Sequence, residues 1–568
     1  MSEPSSFRLH PSTFSRAWPW LAAVSTGGLL TLCFPRWGHG WLAWVALIPL
    51  ICAVIFSHNT GRCVGLRKAA LGYVAGLVFF TATFHWLSST LSELYRNPWL
   101  LALAPLVALV FGFYFAFWGW FVGSVLVRDD TARKFPRSLS NLATGAAGAC
   151  AWVSHEWVRE RLFGGFGWNG IGVALHRDLP MIQIADMTGV PGVSFLVVFT
   201  NLMAVIVVRR IIGELGPVFL KRVRWEFSFT IALIVLVWAY GVRALWRGEA
   251  GPGVPLRVVA VQPNIPQTEK FDPAMEDHIY DELAKLSGLA AAVRPAPQLV
   301  LWPESATPRD MFADEESERF VIDQVRALSC ALLFGSGESD LDTRANYNIA
   351  ALFTPNGKPQ IYRKMHLVPF GEYLPLRPVF EPFCGELVPS DFHAGTEFTL
   401  FDLPDPRIRI APLVCFEDTL GELTRRFVQK GAQALVNITN DGWFAESPAA
   451  EQHLANAIFR AVENRRPLIR CGNTGVTCAV DTFGRVDLWL KPFQQGFAAR
   501  DVRVPTAGPI TFYTRHGDWL SHASMLATAA LLARAFLARW RRRGSLSGPV
   551  QNRNGDGTKA EWVKTGAP

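Results

Sequence analysis

Eight apolar runs, most of them near the length a bilayer core demands, constrain this chain more than any other feature. Seven lie within residues 18–247, at about Trp18–Phe34, Trp41–Phe56, Ala69–Leu91, Trp99–Val127, Leu142–Val158, Val190–Val208 and Glu226–Trp246. The eighth, Trp519–Ala538, follows a long interval of different character. Half of the 568 residues are hydrophobic and mean hydropathy is +0.20. That is more apolar surface than a soluble core encloses, so a bilayer is the expected solvent for part of the chain. The first run reads as a span and not as a cleaved leader, because no small-residue cleavage site follows Phe34 and a second run starts within about ten residues.

Charge placement sets an expected orientation. A net charge of +8 would suit nucleic acid if the cations clustered, but they flank the apolar runs, so no nucleic-acid partner is expected. With residues 1–17 in the cytoplasm, fourteen Lys and Arg fall on inner segments, including Arg8, Arg62, Arg128, Arg133 and Lys134, against five outside: Arg36, Arg96, Arg159, Arg161 and Arg177. This asymmetry is the signature of a multi-pass inner-membrane protein. It puts residues 254–507 on the far side, which in a bacterium is the periplasm, and returns a basic, then disordered, tail at 539–568 to the cytoplasm.

Between 254 and 507 the pattern changes to short β-branched runs alternating with polar helical segments. Leu256–Gln262, Leu299–Trp302, Ala331–Gly335, Arg409–Val414 and Ala434–Thr439 are near-continuous apolar stretches bounded by turn residues, as strands buried on both faces should be. Helical patterns such as Met275–Ala292 and Pro448–Arg465 lie between them, so an α/β domain is expected. Nine scattered Cys show neither zinc-ligand spacing nor a disulfide framework, and no metal or other cofactor is expected. Any pairing among Cys384, Cys471 and Cys478 stays open.

Three stretches each place one reactive side chain just beyond an apolar run, where α/β folds build their sites. They are Trp302-Pro303-Glu304-Ser305, Tyr362-Arg363-Lys364-Met365-His366 and Val414-Cys415-Phe416-Glu417. A thiol near its ordinary pKa of about 8.5 is a poor proton donor to a carboxylate near 4.3, a gap of roughly 5.7 kcal/mol. Burial of Glu304 and a lysine ammonium nearby both narrow that gap. Glu304 as general base, Cys415 as nucleophile and Lys364 as oxyanion stabiliser then suffice for acyl transfer. Singly, each has a plainer reading: a small core residue, a strand-end ion pair, a solvated charge.

The flanking text carries a resemblance. Gln262-Pro263-Asn264-Ile265-Pro266-Gln267, the Trp-Pro-Glu-Ser block, Lys364 through Tyr373 (KMHLVPFGEY), Cys415-Phe416-Glu417 and Asn440-Asp441-Gly442-Trp443-Phe444 resemble the nitrilase superfamily. With membrane runs on both sides, the chain resembles the apolipoprotein N-acyltransferase family within it. The resemblance implies an αββα sandwich fused to a polytopic helical membrane domain of about eight spans. It also implies a ping-pong reaction. A fatty acyl chain passes from a phospholipid, typically phosphatidylethanolamine, to Cys415, and from that thioester to the N-terminal amine of a diacylglyceryl-cysteine apolipoprotein. Glu304, Lys364 and Cys415 match the family's catalytic positions in order.

Other residues are carried at the periphery of this reading. Glu372 matches a second family carboxylate that would orient Lys364 or assist proton transfer, against a plain ion pair with that lysine. Glu417, two residues after the nucleophile, would point to the same side of an extended segment and hold a neighbouring loop. Phe416, Tyr373, Phe271 and Trp443 are candidate substrate contacts, although Lys270-Phe271-Asp272 and Phe416 stand where the family often has Trp and Tyr, which removes a hydrogen-bonding handle. His453, Ala457, Arg460 and Glu463 share a helical face and read as a charge-paired helix, not a catalytic base. Leu376, Val379, Phe380, Phe383, Leu387 and Val388 read as an irregular apolar loop able to meet the membrane or act as a lid, with a buried structural loop as the alternative. Gly164 to Trp168 reads as a second rim element, or else as an interfacial anchor. His85-Trp86 reads as packing near the outer end of the third span. The competing activities are a membrane-tethered amidase acting on a small carbon–nitrogen compound and a transporter or lipid-binding protein with an outer receptor domain.

Overall fold

The computed structural model of the chain describes residues 11–546 apart from 58–62, 127–136, 163–164, 214–218, 249–251, 341–342, 386–387, 389, 507 and 509. The polar tail beyond 546, the inner-face cations Arg8, Arg62, Arg128, Arg133 and Lys134, and Gly164 and Leu387 lie outside the described residues. Among the described residues, five helices are long and apolar enough to cross a membrane: Val64–Thr83, Pro98–Leu126, Val190–Ile212, Trp225–Arg247 and Trp519–Arg541. They correspond to the third, fourth, sixth, seventh and eighth apolar runs.

The remaining three runs fold differently from a plain span. The first and fifth form helices Pro11–Leu32 and Arg137–Arg159, and the second forms a 3₁₀ turn, Gly40–Trp44, followed by the short helix Ile48–Phe56. Arg137–Arg159 falls short of the composition of a span because it carries polar side chains that bond to its neighbours. Asn141 donates to Glu226 at 2.7 Å, and Ser154 pairs with Thr528 at 3.2 Å. By length and composition, five helices among the described residues qualify. The third run also divides: helix Val64–Thr83 ends at Phe84, and a new helix, His85–Leu94, begins there. His85 opens that second helix, and Trp86 packs edge-on to Phe444 of the extramembrane half, ring centres 4.9 Å apart.

Small residues make the tightest seam of the membrane half. Gly72, Gly76, Gly112 and Gly119 let helices Val64–Thr83 and Leu103–Phe121 meet backbone to backbone. A Cβ added at Gly72 would lie 2.2 Å from the carbonyl oxygen of Phe115.

The extramembrane half has twelve strands among the described residues: β1 (Gly253–Gln262), β2 (Leu299–Leu301), β3 (Ala331–Asp340), β4 (Ala345–Phe353), β5 (Gln360–Arg363), β6 (Phe401–Pro404), β7 (Arg407–Val414), β8 (Ala434–Thr439), β9 (Leu468–Gly472), β10 (Thr477–Val480), β11 (Val486–Leu490) and β12 (Gly496–Pro505). They form two six-stranded sheets in the orders β12-β1-β2-β3-β4-β5 and β11-β10-β9-β8-β7-β6. In each sheet the central strands β1, β2 and β3, or β7, β8 and β9, run parallel, and the outer ones are antiparallel.

Alternation along the strands assigns the layers. Val259, Val261, Val300, Leu332 and Phe334 pack against helices Glu276–Ala291 and Glu315–Leu328. Their neighbours Val258, Ala260, Leu299, Leu301 and Leu333 share a core with Ile410, Val414, Val436 and Ile438 of the second sheet. Helices Gly421–Gln429 and Ala449–Asn464 cover that sheet's far face. The result is an αββα sandwich. Polar contacts dock it on the membrane half: Arg465 pairs with Asp186 at 2.6 Å, Gln183 donates to the Phe483 carbonyl at 2.9 Å and Gln452 to the Pro35 carbonyl at 2.7 Å.

The glycine seam makes a direct prediction. Gly72→Leu forces the two helices apart at a backbone contact, which should cost about 1–3 kcal/mol and lower the melting temperature of the detergent-solubilised protein, while Gly28→Ala, in open space, leaves it unchanged.

Candidate active site

The two sheets bring three chain turns to one end. Glu304 follows β2 in a tight turn held by Gly335, which donates to the Pro303 carbonyl at 3.1 Å and accepts from Ala306 at 2.7 Å. Only glycine fits there, since a Cβ on Gly335 would lie 2.7 Å from the Glu304 Cα. Lys364 follows β5, where its N–H donates to the Asn348 carbonyl at 2.8 Å and its own carbonyl accepts from Gly395 at 2.8 Å. Cys415 leaves β7 with φ near +52° and opens a 3₁₀ turn, Cys415–Thr419. A β-carbon-bearing residue held in that region is strained, a recurrent feature of reactive positions.

The Lys364 ammonium is 1% exposed and sits 2.8 Å from Glu372 and 3.8 Å from Glu304. Asn348 bridges the same two carboxylates, donating at 2.8 Å to each. The other Glu304 oxygen accepts from the Asn440 N–H at 2.9 Å. Burial alone would push Lys364 down, but Glu372, then Glu304, outweigh it and hold the side chain as a firm cation. Burial raises the Cys415 thiol well above its ordinary range, Glu304 adds to the rise and Lys364 opposes it. The Cys415 thiol is thus under the influence of both neighbours.

Glu417 lies on the 3₁₀ turn and not on the extended segment expected from sequence, because the chain reverses at Cys415. It is fully buried and accepts from Tyr362 Oη, the Met365 N–H and the Val414 N–H at 2.8, 2.8 and 2.9 Å, and from the His366 N–H at 3.1 Å. It ties the nucleophile turn to the Lys364 loop. Burial, against Lys364 and these donors, pushes its carboxyl up to about 7.

The remaining expected contacts divide. Phe416 stacks on Phe166 at 5.7 Å and on Trp168 at 6.3 Å, so the rim segment and the nucleophile turn form one aromatic wall. Phe271 and Trp443 stand 6.4 Å apart at the surface, the former 57% exposed. Tyr373 closes the loop through its carbonyl, which accepts from Phe370 at 2.8 Å and so keeps Glu372 over Lys364. The apolar segment after it is a helix, Arg377–Cys384, and not an irregular loop: Pro378 occupies the first turn, where its missing N–H costs nothing. Leu376 and Val379 on it are exposed.

A second buried cluster lies beneath the nucleophile turn. His453 meets Asp418 at 2.7 Å through Nε2 and Asp441 at 3.0 Å through Nδ1, and Arg470 bonds both aspartates. All four are fully buried. With both ring nitrogens engaged, His453 is a clamp of the charge-paired helix, which also pairs Arg460 with Glu463 at 2.8 Å. Sequence reading missed Asn348, Asp418 and Arg470. The available signal was a polar residue inside an otherwise apolar strand, as in Asn348 of β4 and Arg470 of β9. Among the described residues no group of His, Cys, Asp and Glu is arranged to hold a metal, and Cys471 and Cys478 are both free thiols.

Residues 26–203 match the model of the apolipoprotein N-acyltransferase N-terminal domain, and residues 257–508 match that of the carbon–nitrogen hydrolases. The apolipoprotein N-acyltransferase of Geobacter metallireducens is 35% identical over 527 residues, 91% of this chain and 95% of that protein. That of Chlorobaculum tepidum is 30% identical, over 91% of this chain and 96% of its own length. That of Methylococcus capsulatus is 32% identical, over 88% and 92%.

The Asp418–His453–Asp441 contact carries a pH signature. Burial pushes the imidazolium down, but Asp418 and Asp441 outweigh burial and Arg470 and raise it from 6.5 to about 9. The stability this gives is complete below pH 6.5 and is lost as pH rises through about 9. Melting curves between pH 6 and 10 should show that loss in the parent chain and lack it in His453→Gln, which is less stable at pH 6. Gly335→Ala, which pushes on the Glu304 backbone, should lower both activity and melting temperature.

Proposed function

The chain belongs to the apolipoprotein N-acyltransferase family, and from that premise we propose that it moves a fatty acyl chain from a phospholipid, through a thioester on Cys415, to the N-terminal amine of a diacylglyceryl-cysteine apolipoprotein. The observation that carries the reading is the buried Lys364 ammonium held against Glu372 and Glu304 beside the Cys415 thiol. Glu304 is the base, Cys415 the nucleophile and Lys364 the oxyanion partner. Glu372 and Asn348 orient the lysine, and Glu417 fixes the distance between its loop and the nucleophile turn.

In the first half-reaction the thiol proton passes to Glu304 as sulfur attacks the ester carbonyl carbon. The tetrahedral oxyanion forms against the Lys364 ammonium, which is already desolvated and needs no reorganisation. Collapse breaks the carbon–oxygen bond, and Glu304 returns its proton to the departing lysophospholipid alkoxide. In the second, the acceptor amine attacks the thioester, Glu304 takes the amine proton, and the carbon–sulfur bond breaks to restore the thiol. A thiolate leaves readily, so excluding water favours aminolysis over hydrolysis.

The membrane supplies the donor. Exposed Leu376 and Val379 on helix Arg377–Cys384, next in chain to the Lys364 loop, offer an apolar edge to the outer leaflet. The lysines and arginines concentrated on the opposite segments favour an inner-membrane protein with residues 254–507 facing the periplasm. Phosphatidylethanolamine is the donor this reading names, and no metal or organic cofactor enters either step.

Purified protein incubated with acyl-labelled phosphatidylethanolamine in mixed micelles should carry a hydroxylamine-labile label on the peptide containing Cys415, and release it on addition of an apolipoprotein amine. Cys415→Ala should take no label. Glu304→Gln should slow labelling by about 10²–10⁴-fold and Lys364→Met by about 10²–10³-fold. Turnover of small amides with no label on Cys415 would replace this reading with that of an amidase.

A further inference from the structure

The membrane half and the sandwich enclose a polar space between them. Arg159 at the end of helix Arg137–Arg159, Val190 at the start of Val190–Gly213 and Asp518 just before Trp519–Leu546 line one side, and Gly421 and Arg460 of the sandwich line the other. The centre of a water can move through about 70 Å³ there, several times what one water needs. Two of those helices begin candidate spans at Val190 and Trp519, so the space lies at the depth where a bilayer carries its head groups. Trp157 and Glu160, at its edge, are half-buried.

Most charges around it are already paired. Arg161 holds Glu160 at 3.0 Å and also Asp518, to which Tyr513 donates at 3.2 Å. Glu156 accepts from the Trp152 indole at 2.8 Å and from the Ile171 N–H at 2.7 Å. Among the described residues lining the cavity, three buried side-chain atoms lack a hydrogen-bond partner. Arg460 donates to the Thr419 carbonyl and, at 2.8 Å, to Glu463, yet its Nε has no acceptor. Glu463 takes that bond and the Val190 N–H, 3.2 Å away, on Oε1, and its Oε2 takes none. Arg159 gives one terminal nitrogen to the Gly167 carbonyl at 3.3 Å and leaves Nε without an acceptor. Arg460, Glu463 and Arg159 are 4%, 1% and 4% exposed. Gly421 keeps the space open beside two of them, since a Cβ there would lie 3.4 Å from Glu463 Oε2, 3.5 Å from Arg460 Cζ and 2.5 Å from Tyr513 Oη.

Donors and an acceptor buried together without partners call for an occupant that brings both kinds of group. An anion alone would leave Glu463 Oε2 unmet, and a cation alone would leave the two guanidinium nitrogens. We propose that the cavity binds the phosphoethanolamine head group of a phospholipid from the leaflet beside the sandwich, its phosphate on Arg159 and Arg460 and its primary ammonium on Glu463. A choline head group has no N–H to donate, and a glycerol head group has no positive charge. No bond is made or broken at this site. Arg460 also holds the carbonyl of Thr419, where the turn opened by Cys415 ends, so the bound head group braces that turn from the side of the membrane helices. The site is separate from the donor's place at Cys415 and does not depend on Cys415 taking an acyl chain.

The test follows backbone hydrogen exchange of the full chain in phosphatidylcholine nanodiscs carrying added phosphatidylethanolamine, added phosphatidylglycerol or neither, read by mass on peptides spanning 157–162 and 419–423. Phosphatidylethanolamine should slow exchange of both peptides about tenfold against either alternative. Comparing lipids within one variant cancels any change in that variant's own stability. Glu463→Gln, which keeps the shape and loses the charge, and Arg159→Met should each bring the ratio near one. Cys415→Ala, unable to turn the lipid over, should keep the parent's ratio. Equal exchange in the three bilayers, as a cavity holding water only would give, overturns the proposal, and so does equal protection by phosphatidylglycerol. Protection by soluble phosphoethanolamine added to phosphatidylcholine nanodiscs assigns the site to a free solute and overturns the lipid assignment. A ratio kept in both Glu463→Gln and Arg159→Met, or lost in Cys415→Ala, places the effect elsewhere and overturns it too. If Arg159→Met does not fold, Arg159→Gln takes its place. Failure of the parent to take label on Cys415 counts against the acyl-transfer reading alone, because the exchange ratio still reads the cavity.

Discussion

A lysine ammonium taken out of water and gripped by carboxylates is the constraint on which this structure depends. Lys364 is all but inaccessible, and a charge so placed is tolerable only with close, well-directed partners. Glu372 provides one at 2.8 Å, and Asn348 reaches across to fix Glu372 and Glu304 at a set separation. Everything around the three turns serves that arrangement. The Tyr373 carbonyl closes the loop bearing Glu372, Glu417 ties the Lys364 loop to the Cys415 turn, and Gly335 lets β3 approach close enough to seat Glu304.

The same economy of buried charge recurs one layer down. Asp418 belongs to the turn that Cys415 opens, Asp441 to the turn after β8, His453 to helix Ala449–Asn464 and Arg470 to β9. Four elements meet in one cluster of two cations and two anions, and the strained nucleophile turn rests on it. A turn with φ near +52° at a non-glycine residue persists only when its surroundings over-determine it. That helix also touches the membrane half: Gln452 accepts from Trp168 at 2.9 Å and donates to the Pro35 carbonyl. Helix Ala449–Asn464 thus touches both the membrane half and the turn that Cys415 opens.

Much of this was legible in the chain as written. Five of the six central strands announce themselves as unbroken apolar runs because parallel strands are covered on both faces. Residues 299–302, 331–335, 409–414 and 434–439 fall within or at the ends of strands found there. The antiparallel outer strands and the central strand β9 were not legible. Strand β11 exposes three of its five residues, and β4 and β9 carry Asn348 and Arg470 in their middles. Hydropathy alone does not distinguish a lipid-facing helix from Arg137–Arg159, whose Asn141, Ser154 and Glu156 bond inward to Glu226, Thr528 and Trp152. Nor does it register the break at Phe84, where one apolar run becomes two helices.

What the sequence determined by itself was the division into membrane and α/β halves and the chemical types of Glu304, Lys364 and Cys415. Apolar length and strand periodicity are local properties, and a residue's type fixes its chemistry. Tertiary structure alone decided which partners surround those side chains. Asn348 spans two carboxylates that lie 68 residues apart in sequence, and Lys270 is buried. Burial and separation are properties of the assembled fold, and it is these that bring an ordinary glutamate, lysine and cysteine under one another's influence.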